Sequence, residues 1–567
     1  MPGGLMQLTA FGAQNIFVNG NPSMSYFNKL YKRTTNFAME HYRIEAGGVS
    51  DMSMPNSDHQ TFRFKIPNYA DLLHDCYICV NIPDIWSPLT RIGTSDARPS
   101  EFQWVRNLGF NMIEEVSVTF NGTQIASFTG EWMKVLSYMH ESKAKRENID
   151  DMVGNLKEYY DPGNAGGRMQ QYPHAIATST APISAPSIRG RQLTIPLPFW
   201  FCKEISESLP LIAMRLTEVE IRVTFSSLYY LYTVLDVNPN SPTFGYRIPG
   251  QPNSNTTGIQ RFLSYPDTNG LPQNDQLLTW SLDPYIEANY IFLTDSERAH
   301  VAAYERTFLI TQVRNQYTER QYGLNNQLIP MFNLCTRVVA LFQRYDRAMM
   351  NDWDNYTNWD DVTSSALNTT LLPFDNPYTT QQLFTSGPIF SNNMGARDIL
   401  VEGNLIFDGK ERFTTKNVNF FRDIQNYQFS TGPTPDLPGI YIYSFALDPN
   451  TITQPSGSVN ASMFNKTYFR YTLLVPPVVA TAQTTQTAVC VVKSTANTNS
   501  PVPVPAGSTI PPRPGVPPII EPGNTITIYS APSNLYVQFQ GYNSVIYIES
   551  YNFVKVMNGQ ANVVFST

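Results

Sequence analysis

Charge is scarce in this chain, with Asp, Glu, Lys and Arg supplying 15% of 567 residues, against roughly a quarter in ordinary soluble domains. Few Lys and Glu means few strong helix formers, which excludes a helical bundle or a long coiled coil. A basic excess is also missing. The chain carries 39 Lys and Arg against 46 Asp and Glu, for a formal net charge of -7, so a phosphate-neutralising face for duplex DNA is not expected. The few local basic clusters, such as Lys143, Lys145 and Arg146, which is closely followed by Glu147, Asp150 and Asp151, read as a solvated helix face.

Cysteine is equally sparse. Cys76, Cys79, Cys202, Cys335 and Cys490 form an odd set in a long chain, which argues against a disulfide framework and for a reducing compartment. No signal-peptide pattern opens the sequence, and no apolar run is long enough to span a bilayer, so a soluble protein made in the cytoplasm is expected.

Catalytic signatures are absent too. There is no G-x-x-x-x-G-K-[ST], G-x-G-x-x-G, H-E-x-x-H or G-x-S-x-G, so neither a phosphate cradle, a zinc protease site nor a nucleophile elbow is present. All six histidines (His41, His59, His74, His140, His174 and His300) lie at or before position 300, leaving the rest of the chain without the usual general base. Cys76-x-x-Cys79 sits in a strand-like run without a second ligand pair, so both read as packing residues, not zinc ligands. Asp352-Trp-Asp354 with Asp360-Asp361 lacks the glycine and terminal glutamate of a calcium loop and reads as a solvated acidic loop. Trp353 and Trp359 within it suit either burial at a contact or stacking on a sugar. No metal, cofactor or catalytic residue is expected.

What the sequence does have is Pro 42, Tyr 32 and Phe 33, a composition suited to strands, turns and sheet edges. Val219, Ile221, Val223 and Phe225 alternate with Glu220, Arg222 and Thr224, the period-two pattern of a strand with one wet face. Val116, Val118 and Phe120 lead into Asn121-Gly122 and resume at Ile125, which predicts a hairpin with a type I′ turn. Leu405–Phe407, Asp408-Gly409 and Arg412-Phe413 repeat the device. Further strands are expected at 195–201, 441–447, 525–529 and 545–556.

Helices are expected only as accessories, over 131–156 and over 295–305 with Asp295 or Ser296 as N-cap. Long Pro-, Gly- and Asn-rich segments cover 161–189, 236–275, 351–393 and 497–523; Pro501 to Pro522 should run extended as a spacer. No short-period repeat is visible. Six N-x-[ST] sequons, at Asn121, Asn255, Asn355, Asn368, Asn460 and Asn465, nominate surface positions for glycosylation.

The stretches Gly3 to Gln14, Gly20-Asn-Pro22 and Tyr31 to Ala38 resemble the opening of major capsid proteins from nucleocytoplasmic large DNA viruses. The likeness continues through Thr129-Gly-Glu-Trp132, Ile195 to Cys202, Leu209-Pro-Leu211, Gly439 to Leu447 and Gln454 to Ser458. It is nearest to the mimivirus-like and algal-virus branches and thins in the long loops and after Pro477.

This resemblance implies an all-β fold of two tandem eight-stranded jelly rolls with short accessory helices and long loops. The division expected from the chain is an N-terminal arm over 1–24, a first jelly roll over 25–228, a linker over 229–280 and a second jelly roll over 281–567. The resemblance further implies a homotrimer forming a pseudo-hexagonal capsomer in an icosahedral virion assembled in the host cytoplasm. Neighbouring capsomers and minor capsid and penton proteins would be partners, without direct nucleic-acid contact, the arm inside and the loops outside. Outer loops would offer contact with the host surface or a glycan. Two alternatives use the same scaffold: a carbohydrate-binding virion surface or fibre protein, and a jelly-roll hydrolase.

Overall fold

A computed structural model describes residues 3–29, 31–47, 59–92, 96–168, 171–175, 185–238, 247–251, 254–266, 271, 280–344, 351–358, 397–451, 453–474, 489–494, 525–530 and 541–565. Eight strands build a first sandwich: β1 Phe37–Glu45, β2 Gln60–Lys65, β3 Leu72–Ile82, β4 Ile113–Phe120, β5 Thr123–Thr129, β6 Arg191–Pro196, β7 Val219–Phe225 and β8 Tyr285–Leu293. They form two antiparallel sheets, in the orders β1-β8-β3-β6 and β2-β7-β4-β5.

The alternation read in β7 is observed, its apolar residues buried and its Glu220, Arg222 and Thr224 partly exposed. Asn121 and Gly122 both take positive φ, 49° and 82°, as a type I′ hairpin requires. Here the glycine answers the backbone conformation, since an added Cβ would meet nothing within 4 Å.

A second set of eight follows: β9 Arg306–Gln321, β10 Gly323–Leu328, β11 Leu334–Arg344, β12 Leu400–Phe407, β13 Lys410–Glu411, β14 Ile440–Ser444, β15 Thr467–Leu473 and β16 Tyr542–Met557. Their sheet orders are β9-β16-β11-β14 and β10-β15-β12-β13. Strand for strand this repeats the first sandwich: first, eighth, third and sixth in one sheet, second, seventh, fourth and fifth in the other. Asp408 and Gly409, at φ 47° and 81°, turn β12 into β13 as Asn121-Gly122 turns β4 into β5. Phe407 pairs with Lys410, so this turn has two residues as well.

The division of the chain differs from the one expected. Tyr285–Leu293, assigned above to the second jelly roll, is paired between β1 and β3 and completes the first sandwich. The crossing comes after it, through the helix Asp295–Ala303. The aromatic and aliphatic run of Tyr285–Leu293 looks alike whichever sheet accepts it, so periodicity alone could not assign it.

Other boundaries shift as well. The strand expected over 195–201 spans Arg191–Pro196, and Trp200–Cys202 form a 3₁₀ turn. The expected helix over 131–156 is two, Gly130–His140 and Lys143–Val153, capped by the Thr129 and Ser142 side chains. Thr294, not Asp295 or Ser296, holds the N-cap position before Asp295. Pro501 to Pro522 lies outside the described residues.

Strand register also sorts the connections by end. The tight turns Asn121-Gly122, Asp408-Gly409 and Asn558-Gly559 gather at one end, where the Leu216 N–H donates to the Gly559 carbonyl at 2.9 Å and so ties the sandwiches together. The connections containing 83–112, 130–190, 226–284, 345–399 and 474–541 all leave from the opposite end. The N-terminal helices Gly3–Thr9 and Ala13–Asn19, which precede β1 at the hairpin end, bury no residue.

Phe199 sits at 0% exposure with its ring 5.8 Å from Phe128 and 5.5 Å from Phe201. Phe199→Ala is expected to lower unfolding stability by about 3 to 5 kcal/mol, read as a drop in the denaturant midpoint at unchanged slope. Wild-type stability would contradict the packing described.

Candidate functional site

The central strands β16 and β11 of the sheet β9-β16-β11-β14 are buried on both faces, while much of β9 stays open to solvent. Cys335, Val338, Ala340, Phe342, Ile546 and Ile548 point into the second sandwich's own core. Val339, Leu341, Ile440, Ile442 and Tyr547 belong to a cluster continuous with the first sandwich. In β11 the burial therefore runs almost without a break, as in sheets covered on both sides. The two sandwiches meet at a wide apolar seam, and its polar groups come as matched sets.

One set surrounds Lys134, on the helix Gly130–His140. Lys134 Nζ lies 2.6 Å from Asp354 Oδ1, with side chains 1% and 4% exposed. It also donates to Asn111 Oδ1 and the Trp353 carbonyl, both at 3.3 Å. Asn107 donates from Nδ2 to the other Asp354 oxygen, and Arg146 donates to Asn107 Oδ1 and Ser137 Oγ, both at 2.6 Å. Burial pushes the Asp354 carboxyl up, but the Lys134 charge and the Lys134 and Asn107 hydrogen bonds outweigh it and hold it below the ordinary carboxylate value.

A second set holds Glu131. The Tyr356 hydroxyl donates to its Oε1 at 2.8 Å and the Tyr547 hydroxyl to its Oε2 at 2.5 Å. Thr129 starts this helix by accepting from the Trp132 N–H at 3.2 Å, which places Glu131 in the first turn, where negative charge is favoured.

The third set is the Arg337–Glu549 ion pair, 1% and 2% exposed, with the Arg337 guanidinium 5.7 Å from the Trp132 ring centroid. His140 lies close by. Burial first, then the Arg337 and Lys203 charges, hold its imidazole well below the ordinary range against a weaker pull from Asn450. Burial alone lowers His174 to about 4.

The acidic loop read as solvated is instead part of this seam. Asp352 and Asp354 are buried, and Trp353 donates from Nε1 to the Tyr230 carbonyl at 2.9 Å. Nothing in the spacing of Asp352-Trp-Asp354 announces a partner more than two hundred residues upstream; the only available signal is Lys134 itself, a cation on the apolar face of an amphipathic helix. Trp359, Asp360 and Asp361 lie outside the described residues.

Among the sequons, Asn355 is buried, its Nδ2 donating to Asp352 Oδ2 at 3.1 Å and its Oδ1 accepting from Thr357. It is therefore not a surface acceptor. Asn121, Asn255, Asn460 and Asn465 are exposed, and Asn368 lies outside the described residues. Cys76 and Cys79 point to opposite faces of β3, being three apart in an unbroken register, so they cannot share a metal. Among the described residues no three His, Cys, Asp or Glu side chains cluster with metal-binding geometry.

Comparison with known proteins bears on this duplicated, seam-joined architecture. A family model described as "Major capsid protein N-terminus" matches residues 25–265, and one described as "Large eukaryotic DNA virus major capsid protein" matches 297–500. The chain belongs to the major capsid proteins of the large eukaryotic DNA viruses.

Among its relatives, the major capsid protein of Phaeocystis pouchetii virus is 25% identical over 82% of this chain and 91% of its own length. Probable capsid protein 4 of Acanthamoeba polyphaga mimivirus is 29% identical over 41% of this chain and 40% of its own length. In fold, the chain matches the quasi-atomic model of the PBCV-1 capsid at TM-score 0.57 and 18% identity, over 96% of this chain and 100% of the other. The Faustovirus major capsid protein matches at TM-score 0.57 and 12% identity, over 98% and 96%. The fold is the double jelly roll, and the protein is a structural, non-enzymatic component of a capsid shell.

Two outcomes test the seam of this capsid protein. Lys134→Met alone leaves Asp354 buried without its cation and should cost about 3 to 5 kcal/mol; adding Asp354→Leu should recover part of that loss. Denaturation of the single and double variants measures both.

The second outcome concerns acid. An unfolded histidine takes a proton near its ordinary value of about 6.5, whereas His140 and His174 resist it when folded, so the unfolded state binds more protons at lower pH. Stability should fall below about pH 6.5, by at most about 1.4 kcal/mol per pH unit for each histidine. His140→Gln should flatten that slope in a series of melting temperatures taken down to pH 5.

Proposed function

We propose that three copies of this chain associate side by side into a pseudo-hexagonal capsomer, which tiles an icosahedral shell with its loop end outward and its hairpin end and arm inward. The observation that carries this reading is the strand-for-strand repetition of one sandwich by the next with like ends aligned, because threefold symmetry then presents six similar modules around a ring.

Exposed apolar residues supply a flank for such a contact. On β10 and the residue before it, Tyr322, Leu324 and Leu328 are 56%, 72% and 54% exposed, a grouping suited to the uncharged core of a subunit interface. Low overall charge limits the desolvation of unpaired ions on assembly. The acidic balance fits a shell whose contacts are with protein, and assembly in the host cytoplasm fits the free thiols. Neighbouring capsomers and minor capsid and penton proteins are the partners of this reading. Of the exposed sequons, Asn255 stands on the loop end and would face outward; Asn121, Asn460 and Asn465 lie toward the hairpin end.

Size-exclusion chromatography with light scattering should find a species near three times the 64.0 kDa chain mass, hexagonal in negative stain. Leu324→Asp combined with Leu328→Asp should shift the population toward monomer without loss of the folded signal. A wild-type monomer at micromolar concentration would overturn the trimer.

A further inference from the structure

Where the seam reaches the loop end it opens into a cleft of about 340 Å³ between the sandwiches, a size within the range of small-ligand sites. Its floor is the Glu131 carboxylate, held by the Tyr356 and Tyr547 hydroxyls. A carboxylate offers about four lone-pair positions, so two remain for a ligand.

The walls carry aromatic faces and amides. Tyr230 and Trp353 meet edge to face with centroids 5.7 Å apart, and Trp353 is fixed by its bond to the Tyr230 carbonyl. Tyr317 lines the cleft from β9 at 50% exposure, near the amides of Asn315 and Asn543. The charges select further. Among the described residues, Lys134 is the one cation in the lining, and its ammonium already meets Asp354, Asn111 and the Trp353 carbonyl. Glu131 and Glu114 would repel an anion.

We propose that this cleft binds a neutral saccharide, with a pyranose face stacked on Trp353 or Tyr317 and vicinal hydroxyls donating to Glu131. Aromatic rings beside a carboxylate and amides match a ligand with an apolar C–H face and a hydroxyl edge. Among the described residues of this lining, a phosphate, sulfated sugar or sialoside finds no free cation. That the cleft faces the host rests on the capsomer reading, since it opens at the loop end; its chemistry does not, and the test below works on monomer or trimer alike.

Saturation-transfer NMR on the full-length protein, with methyl glycosides of glucose, galactose, mannose and N-acetylglucosamine beside sialyllactose and a heparin disaccharide, tests the proposal. At least one neutral glycoside should bind and the anionic sugars should not. Trp353→Ala and the more exposed Tyr317→Ala should each weaken binding by about tenfold, while Tyr427→Ala, an exposed aromatic outside the cleft, should leave it unchanged. If Trp353→Ala fails to fold, Tyr317→Ala decides. Absence of neutral-sugar binding, preference for the anionic sugars, indifference to Tyr317→Ala, or a trimer map with a neighbouring copy's side chain filling the cleft would overturn it.

Discussion

Strands β16 and β11, at the centre of the sheet β9-β16-β11-β14, have almost no face left for water, and most of the architecture follows from that. A sheet with one wet face tolerates charge on alternate residues; one covered on both sides must pair every charge it carries. Arg337 and Glu549 are such a pair, on adjacent strands and pointing toward the first sandwich, where the Trp132 ring lies under the guanidinium. A buried ion pair adds little net stability over well-packed apolar residues, but misplacing it is expensive. The polar sets that cross the seam therefore act chiefly on orientation: they penalise every way of laying one sandwich on the other except the one that satisfies Lys134 and Glu131 and lays Trp132 on Arg337.

A fixed relative orientation is what a shell subunit needs. Two sandwiches free to rock about a linker would present variable outlines, and a lattice closes only if each module offers the same contact at the same angle. The hairpin end adds a second clamp, Leu216 and Thr217 bonding to Gly559 and Ala561. With Lys134–Asp354 toward the loop end and this backbone contact at the other, the pair of sandwiches is tied along its length. Rigidity of this kind leaves adaptability to the arm, whose two short helices bury nothing within the chain.

Features set by local chemistry were legible in the sequence. Both hairpins followed from Asn121-Gly122 and Asp408-Gly409, because positive φ at two consecutive residues is demanding enough to leave a mark. The period-two strand at Val219–Phe225 followed because only one of its faces meets the core. Features set by distant partners were not legible. Tyr285–Leu293 could have joined either sandwich, since its composition satisfies any buried sheet. Asp352 and Asp354 read as solvent-facing because acidic residues usually are; what holds Asp354 in the interior is a lysine far upstream. The repeat itself leaves no sequence period, since the jelly-roll topology needs apolar residues at alternating positions and turns at strand ends, and many sequences meet that need.

The sorting of connections to one end has a further physical consequence. Strand lengths and register are held by the sheets and the seam, so insertions are tolerated where the backbone leaves the ladder and costs little to lengthen. At the hairpin end the two-residue turns leave no slack, and length can change only in the longer connections such as 197–218 and 445–466. At the loop end, length can change between the short ladders that the connections themselves form, such as Tyr232–Leu235 with Phe102–Trp104 and Arg247–Pro249. The segment 351–358 also reads as one more polar loop yet is pinned by Lys134, Asn107 and the backbone around Tyr230. A segment so held has a fixed geometry, and it forms one wall of the cleft between the sandwiches. That wall is thus a fixed surface, as a binding site requires, because recognition groups on a freely drifting loop would lose their mutual geometry.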